Sequence, residues 1–132
     1  MQRIPLWLLL AGAVVVVVVG VLLQAFSIAA FVRGAGMGAL DMHKDVASVV
    51  HVGELMIVVG AIWAWWGRWG AVALAVGFVV LSVLQLLLIG DTDKPGGWVN
   101  GLHGLLALVI IVAAVLYGQR AARELGLRQT LS

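Results

Sequence analysis

The chain contains no cysteine. Disulfides, iron–sulfur ligation and thiol catalysis are therefore excluded. Charge is nearly as scarce: Asp, Glu, Lys and Arg make up 11% of the 132 residues, where a soluble domain carries about 25%. A soluble domain of any size is thus ruled out. There is no phosphate-binding glycine loop, no serine nucleophile elbow and no pair of catalytic carboxylates, since Glu54 stands alone among the acids inside an apolar stretch. The triple-glycine segment Arg33-Gly34-Ala35-Gly36-Met37-Gly38 has no strand before it and is no nucleotide motif. The net charge of +2 is small and its basic residues are scattered, so no nucleic-acid footprint is present.

What remains is apolar. Hydrophobic residues make up 64% of the chain and the mean hydropathy is +1.15. They fall into four long runs, not the alternating pattern of a membrane barrel strand. The expected spans are about 5–32, 41–66, 69–89 and 98–118, all within one domain covering residues 1–132. Each has the roughly 20 residues that about 30 Å of hydrocarbon requires. Only helices or closed barrels satisfy their backbone in lipid, so these are helices. The expected fold is all-α: a polytopic, up-down four-helix transmembrane bundle. The first run, Ile4 to about Phe31, far exceeds the roughly 7–15 residues of a signal-peptide core and is read as a retained span. Asp41 is the expected N-cap of span two, Gly67-Arg68 a very tight connection, and Gly90 to Gly97 the clearest break. Span four is expected to run on as a helix in water through Glu124.

Orientation is set by the basic residues. With both termini inside, the cytoplasmic side holds Arg3, Arg68, Arg120, Arg123 and Arg128, and the outer side Arg33, Lys44 and Lys94 beside Asp41, Asp45, Asp91 and Asp93. Trp7, Trp63, Trp65, Trp66, Trp69 and Tyr117 gather at the inner boundary, and Trp98 marks the outer one. The expected location is the bacterial inner membrane, multi-pass, with N-in and C-in.

Polar groups inside lipid are costly, so function is sought among them. His51 and Gln85 each lie seventeen residues from Arg68, and His103 lies seventeen before Arg120. At about 1.5 Å per residue each stands roughly 25 Å above the inner face. Gln24 stands the same number of residues beyond Trp7. Two histidines at one depth on diagonal spans suggest a shared ligand. Haem b fits, because its iron takes axial imidazoles from opposite sides. Gly101 and Gly104 flank His103, and Gly53 lies near His51, leaving room for a flat ring. His43 is either a solvated interfacial residue, an alternative ligand to His51, or a partner of a haem propionate. Glu54 is a proton relay, an orienting partner for a histidine, a metal ligand or a neutral hydrogen-bonded carboxyl. A copper or zinc ion held by His43, His51 and His103 is the other metal reading.

Gln24 with Ala25-Phe26-Ser27-Ile28-Ala29, Asp41-Met42-His43, Leu84-Gln85 and Asn100-Gly101-Leu102-His103 resemble a group of small bacterial four-span membrane proteins of unknown function. That group is similar in turn to the four-helix core of membrane b-type cytochromes. The resemblance implies His43 and His103 as haem ligands, whereas the depth count pairs His103 with His51. Two functions are expected from these residues. One is a b-type haem protein, a possible electron-transfer oxidoreductase component exchanging electrons with a quinone or another membrane protein. There Glu54 and Gln85 support the ligands. The other is a non-enzymatic membrane subunit or small transport protein, in which the His/Glu cluster serves helix association or proton or metal-ion passage. Ala71, Ala73, Ala75 and Gly77 pack helices or form the face of a homo-oligomer.

Overall fold

The computed structural model describes residues 3–88 and 97–127. Four helices account for nearly all of them: α1 (Arg3–Val32), α2 (Met37–Ala64), α3 (Trp69–Leu87) and α4 (Gly97–Glu124). Each is long and apolar enough to cross a membrane. No strand occurs among the described residues. Large apolar side chains such as Leu22, Val52, Leu55, Leu74, Leu105 and Leu116 point outward and are exposed. Surface of that extent is untenable in water and ordinary against acyl chains. The protein is a multi-pass membrane protein with a four-helix bundle.

The helix boundaries depart from the sequence reading in instructive ways. Helix α2 begins at Met37 with Gly36 at its N-cap position, so Asp41 is not a cap but an exposed residue inside the helix. The glycine-rich turn explains why the helix starts so soon. Gly34 has φ 92°, and the Ala35 and Gly34 amides donate to the Ala30 and Phe31 carbonyls at 3.0 Å. This pairing closes the end of α1 in a left-handed cap that favours glycine. Helix α4 does continue to Glu124. The turn Gly90 to Gly96, the end of span three at Ile89, and the charges Asp91, Asp93, Lys94 and Arg128 lie outside the described residues.

Helix α1 packs along α2 and α4, and α3 packs on α2 and more lightly on α4. The spans thus form a square in chain order, with α1 opposite α3 and α2 opposite α4. The tightest seam joins α1 to α2. A Cβ placed on Gly12 would lie 2.5 Å from the Gly53 carbonyl oxygen, and one on Gly60 would lie 2.8 Å from the Pro5 carbonyl oxygen. Here the two backbones touch, which only glycine permits. Leu9, Val16, Ile57 and Ala61 fill the seam and are fully buried. Gly53 is therefore occupied by α1 and offers no room for a ring beside His51.

One helix is not uniform. Helix α1 is α-helical over Arg3–Val18, widens into a π-helix over Val19–Gln24, and returns to α over Ala25–Val32. The wider turn shifts the phase of every residue after it, and such bulges collect at functional sites.

The end of the bundle that carries the termini is clamped by a polar cluster. Trp65, expected in the interfacial belt, is instead 1% exposed. Its indole N–H donates to both Glu124 carboxylate oxygens at 3.1 Å. Arg120 donates to the same carboxylate at 3.2 Å and lies 4.0 Å from the centre of the Trp65 ring. Tyr117 stacks on Trp65 and meets Phe78 edge-on, both with centroids 5.9 Å apart. The cluster ties the α2 end to α4 and, through Phe78, to α3.

These contacts generate a prediction for the glycine seam. Gly12→Ala drives a methyl into the Gly53 carbonyl and should cost about 1–3 kcal/mol, the usual range for overpacking. Gly104→Ala, whose Cβ would meet no described atom within 4 Å, should stay within about 0.5 kcal/mol of wild type. Denaturant unfolding in bicelles, followed by tryptophan fluorescence, measures both. A Gly12→Ala protein as stable as the parent would contradict the seam.

Candidate functional site

The bundle end opposite the termini holds His43, His103, Gln24, Ser27 and Gln85. The structure sorts the three histidines into two settings. His43, on α2, directs Nδ1 at the Gln24 backbone carbonyl of α1, 3.2 Å away. Ser27, fully buried, donates its hydroxyl to the same carbonyl at 3.1 Å and lies 3.3 Å from His43 Nδ1. His103, on α4, directs Nδ1 at the Gln85 backbone carbonyl of α3, 3.0 Å away. A carbonyl only accepts, so Nδ1 carries the proton in both rings. Nε2 is then the lone-pair nitrogen of each neutral imidazole, held in a fixed tautomer.

The glutamines add an unusual feature. Both the Gln24 and the Gln85 side-chain Oε1 atoms are buried with no hydrogen-bond partner. A buried amide oxygen left unpaired costs roughly 1–3 kcal/mol. Two such atoms occur on the two residues whose backbone carbonyls hold the histidines.

His51 is differently employed. Its Nδ1 lies 2.7 Å from Glu54 Oε2, one turn along the same helix. Glu54 is 4% exposed and His51 is half-buried. The pair lies on an apolar crevice of about 180 Å³ between α2 and α3, walled by Leu55, Val58, Val79 and Leu86 with Ser82 beside it. A short bond between acid and base in such surroundings holds one proton between them and so screens each group from lipid. On α4, Gly101 and Gly104 beside His103 are exposed, and no described atom comes within 4 Å of a Cβ built there.

The sequence reading puts His51, His103, Gln24 and Gln85 on one level. The structure adds that His51 spends Nδ1 on Glu54 of its own helix, which leaves its Nε2 available too, while His43 and His103 each bond a carbonyl of a neighbouring span. The Gln24 carbonyl and Ser27 carry this support for His43. In the sequence both residues count among the intramembrane polar groups, but nothing there gives them that role. The π-helical turn has no signal in composition or periodicity. No protein-family profile, curated protein or solved structure matches this chain.

The His51–Glu54 pair yields a direct test. Glu54→Leu strands the imidazole N–H in an apolar crevice and should destabilise the protein by roughly 1–3 kcal/mol, the cost of an unpaired buried polar group. Leucine at both positions removes donor and acceptor together and should recover much of that loss. Unfolding free energies of the two single variants and the double variant measure the coupling. Additive effects would mean that the pair is not an energetic unit.

Proposed function

We propose that the protein is a membrane b-type haem protein in which His43 and His103 are the axial ligands. The observation that carries this reading is the matched setting of the two rings. Each Nδ1–H is donated to a backbone carbonyl of the neighbouring span, which leaves Nε2 as the ligating atom. Metal-binding histidines almost always fix their other nitrogen in this way. The rings come from diagonal helices, so they reach the bundle axis from opposite sides.

The donor set favours haem over a bare ion. Zinc or copper needs three or four protein donors, and among the described residues no group of three or more His, Cys, Asp or Glu gathers. Haem brings four nitrogens of its own and asks the protein for two. When bound, haem supplies a one-electron ferric–ferrous couple. Such a couple suits electron transfer in the bacterial inner membrane. A quinone or another membrane protein is then the redox partner. Arg3, Arg68, Arg120 and Arg123 at one end support N-in and C-in orientation.

A second reading rests on the crevice between α2 and α3. His51 and Glu54 there form a protonatable pair open toward lipid, which suits proton or small-cation passage in a transport protein or membrane subunit. The two readings use different residues and separate cleanly.

Protein purified from haem-replete cells should show a Soret band and a sharpened α-band on dithionite reduction. His103→Ala and His43→Ala should each abolish or grossly weaken both bands, and His51→Ala should retain them. A folded, colourless wild-type preparation refutes the haem reading, and loss of colour in His51→Ala alone refutes the ligand assignment.

A further inference from the structure

We infer that the bundle is built from two halves of matching layout but unequal packing, residues 7–43 and 69–103, which together frame one two-fold ligand site on the bundle axis. The first half runs from Trp7 through Leu22-Leu23-Gln24 to His43, and the second from Trp69 through Val83-Leu84-Gln85 to His103. In each, a histidine Nδ1 meets the backbone carbonyl of a glutamine on the preceding span. The separations are 19 and 18 residues, and the distances 3.2 and 3.0 Å. In each, the same glutamine has a buried, unpartnered side-chain oxygen. Both halves ascend and descend the membrane in the same order, as parallel repeats do, so the axis relating them lies along the membrane normal. That axis carries α1 onto α3 and α2 onto α4, the two diagonals of the square.

One discrepancy between the halves has a structural explanation. Trp7 and Gln24 are seventeen residues apart, Trp69 and Gln85 sixteen. The longer half contains the π-helix Val19–Gln24, whereas α3 is α-helical throughout. A π turn is how a helix absorbs one extra residue without displacing the turns beyond it. The bulge therefore keeps Gln24 and Ser27 facing His43 despite the added residue. Each half then contributes one imidazole with Nδ1 held by a carbonyl and one amide with a buried, unpartnered oxygen. Such a set would suit a flat ring held from both faces, with carboxylates at its edge accepting from the amide N–H groups. The ligand identity rests on the haem reading, but the duplication does not.

Deletions test the duplication. Removing Val19 takes out the surplus residue and should return α1 to a plain α-helix. Removing Val80, at a similar distance before Gln85, shifts a helix with no residue to spare. The Val19 deletion should keep a near-parental thermal midpoint in detergent, with or without haem, and the Val80 deletion should lower it clearly. Haem affinity should change little in the first and fall by about tenfold or more in the second. Equal damage from the two deletions, or greater damage from losing Val19, overturns the inference even if wild type is coloured. If wild type binds no haem, the midpoints alone still rank the deletions, so the two proposals fail separately. Gln24→Leu and Gln85→Leu complete the test. Each should reduce haem affinity by a similar factor, about tenfold for groups supporting a ligand site. Unchanged affinity in both, or a fall in one alone, overturns the two-fold placement of the amides.

Discussion

Lipid removes the force that assembles soluble bundles, because acyl chains are as apolar as leucine. Helix pairs in a membrane must instead gain by close contact. The backbone approach of α1 and α2 at Gly12, Gly53 and Gly60 is where this chain gains most. Much else depends on it. Two helices in contact along that seam are fixed in rotation as well as distance. The rotation aims His43 at the Gln24 carbonyl further along the pair, and it directs Glu54 into the protein while His51 faces the α3 crevice. A larger residue at Gly12 or Gly53 would disturb the polar end of the bundle at a distance, through helix rotation alone.

The architecture was legible because it depends on composition. Four apolar runs and a few glycine-rich breaks define four spans, and equal counts from Arg68 and Arg120 put histidines and glutamines at one depth. Depth, however, is set by residue number, whereas partnership is set by the direction a side chain faces. His51 and His103 share a level, yet His51 lies 2.7 Å from Glu54. The count also relied on an unbroken α-helix in span one, and the π turn over Val19–Gln24 breaks it. No residue type announces such a turn. Trp65 shows the same limit: tryptophan near a span end reads as an interfacial anchor, but a carboxylate on another helix draws this one inside. Asp41 has good capping chemistry, but the backbone freedom of Gly34 and Gly36 lets the helix begin sooner.

The two polar settings solve the same solvation problem in opposite ways. His51 Nδ1 and Glu54 satisfy one another one turn apart, within a single helix. His43 and His103 likewise spend Nδ1 and keep Nε2, but they spend it on a carbonyl of another span. That arrangement links spans, fixes the tautomer and leaves a basic nitrogen with an unmet demand. In a medium with little water, a nitrogen of this kind must find a partner or be carried at a cost. The same demand attaches to the Gln24 and Gln85 amides. Two buried, unpartnered amide oxygens at one end of a small bundle are hard to explain as packing, since an apolar side chain at each place would serve packing better.

The division of packing between the helices bears on what could meet that demand. Helices α1 and α2 bury a larger share of their surface than α3 and α4, and α3 contacts α4 only lightly. The glycine seam holds one side of the square, and the Trp65–Arg120–Glu124 cluster holds the end near the termini. Among the described residues, the His103–Gln85 bond is the polar contact that ties the opposite end of α4 to α3, with Gly101 and Gly104 exposed beside it. A bundle clamped at one end and along one seam can part at the far corner without losing its main contacts. That corner is where His103 sits, at the same bundle end as His43. A planar ligand inserted there would replace weak helix contacts with coordination bonds and would give α4 the anchorage its own sequence does not provide.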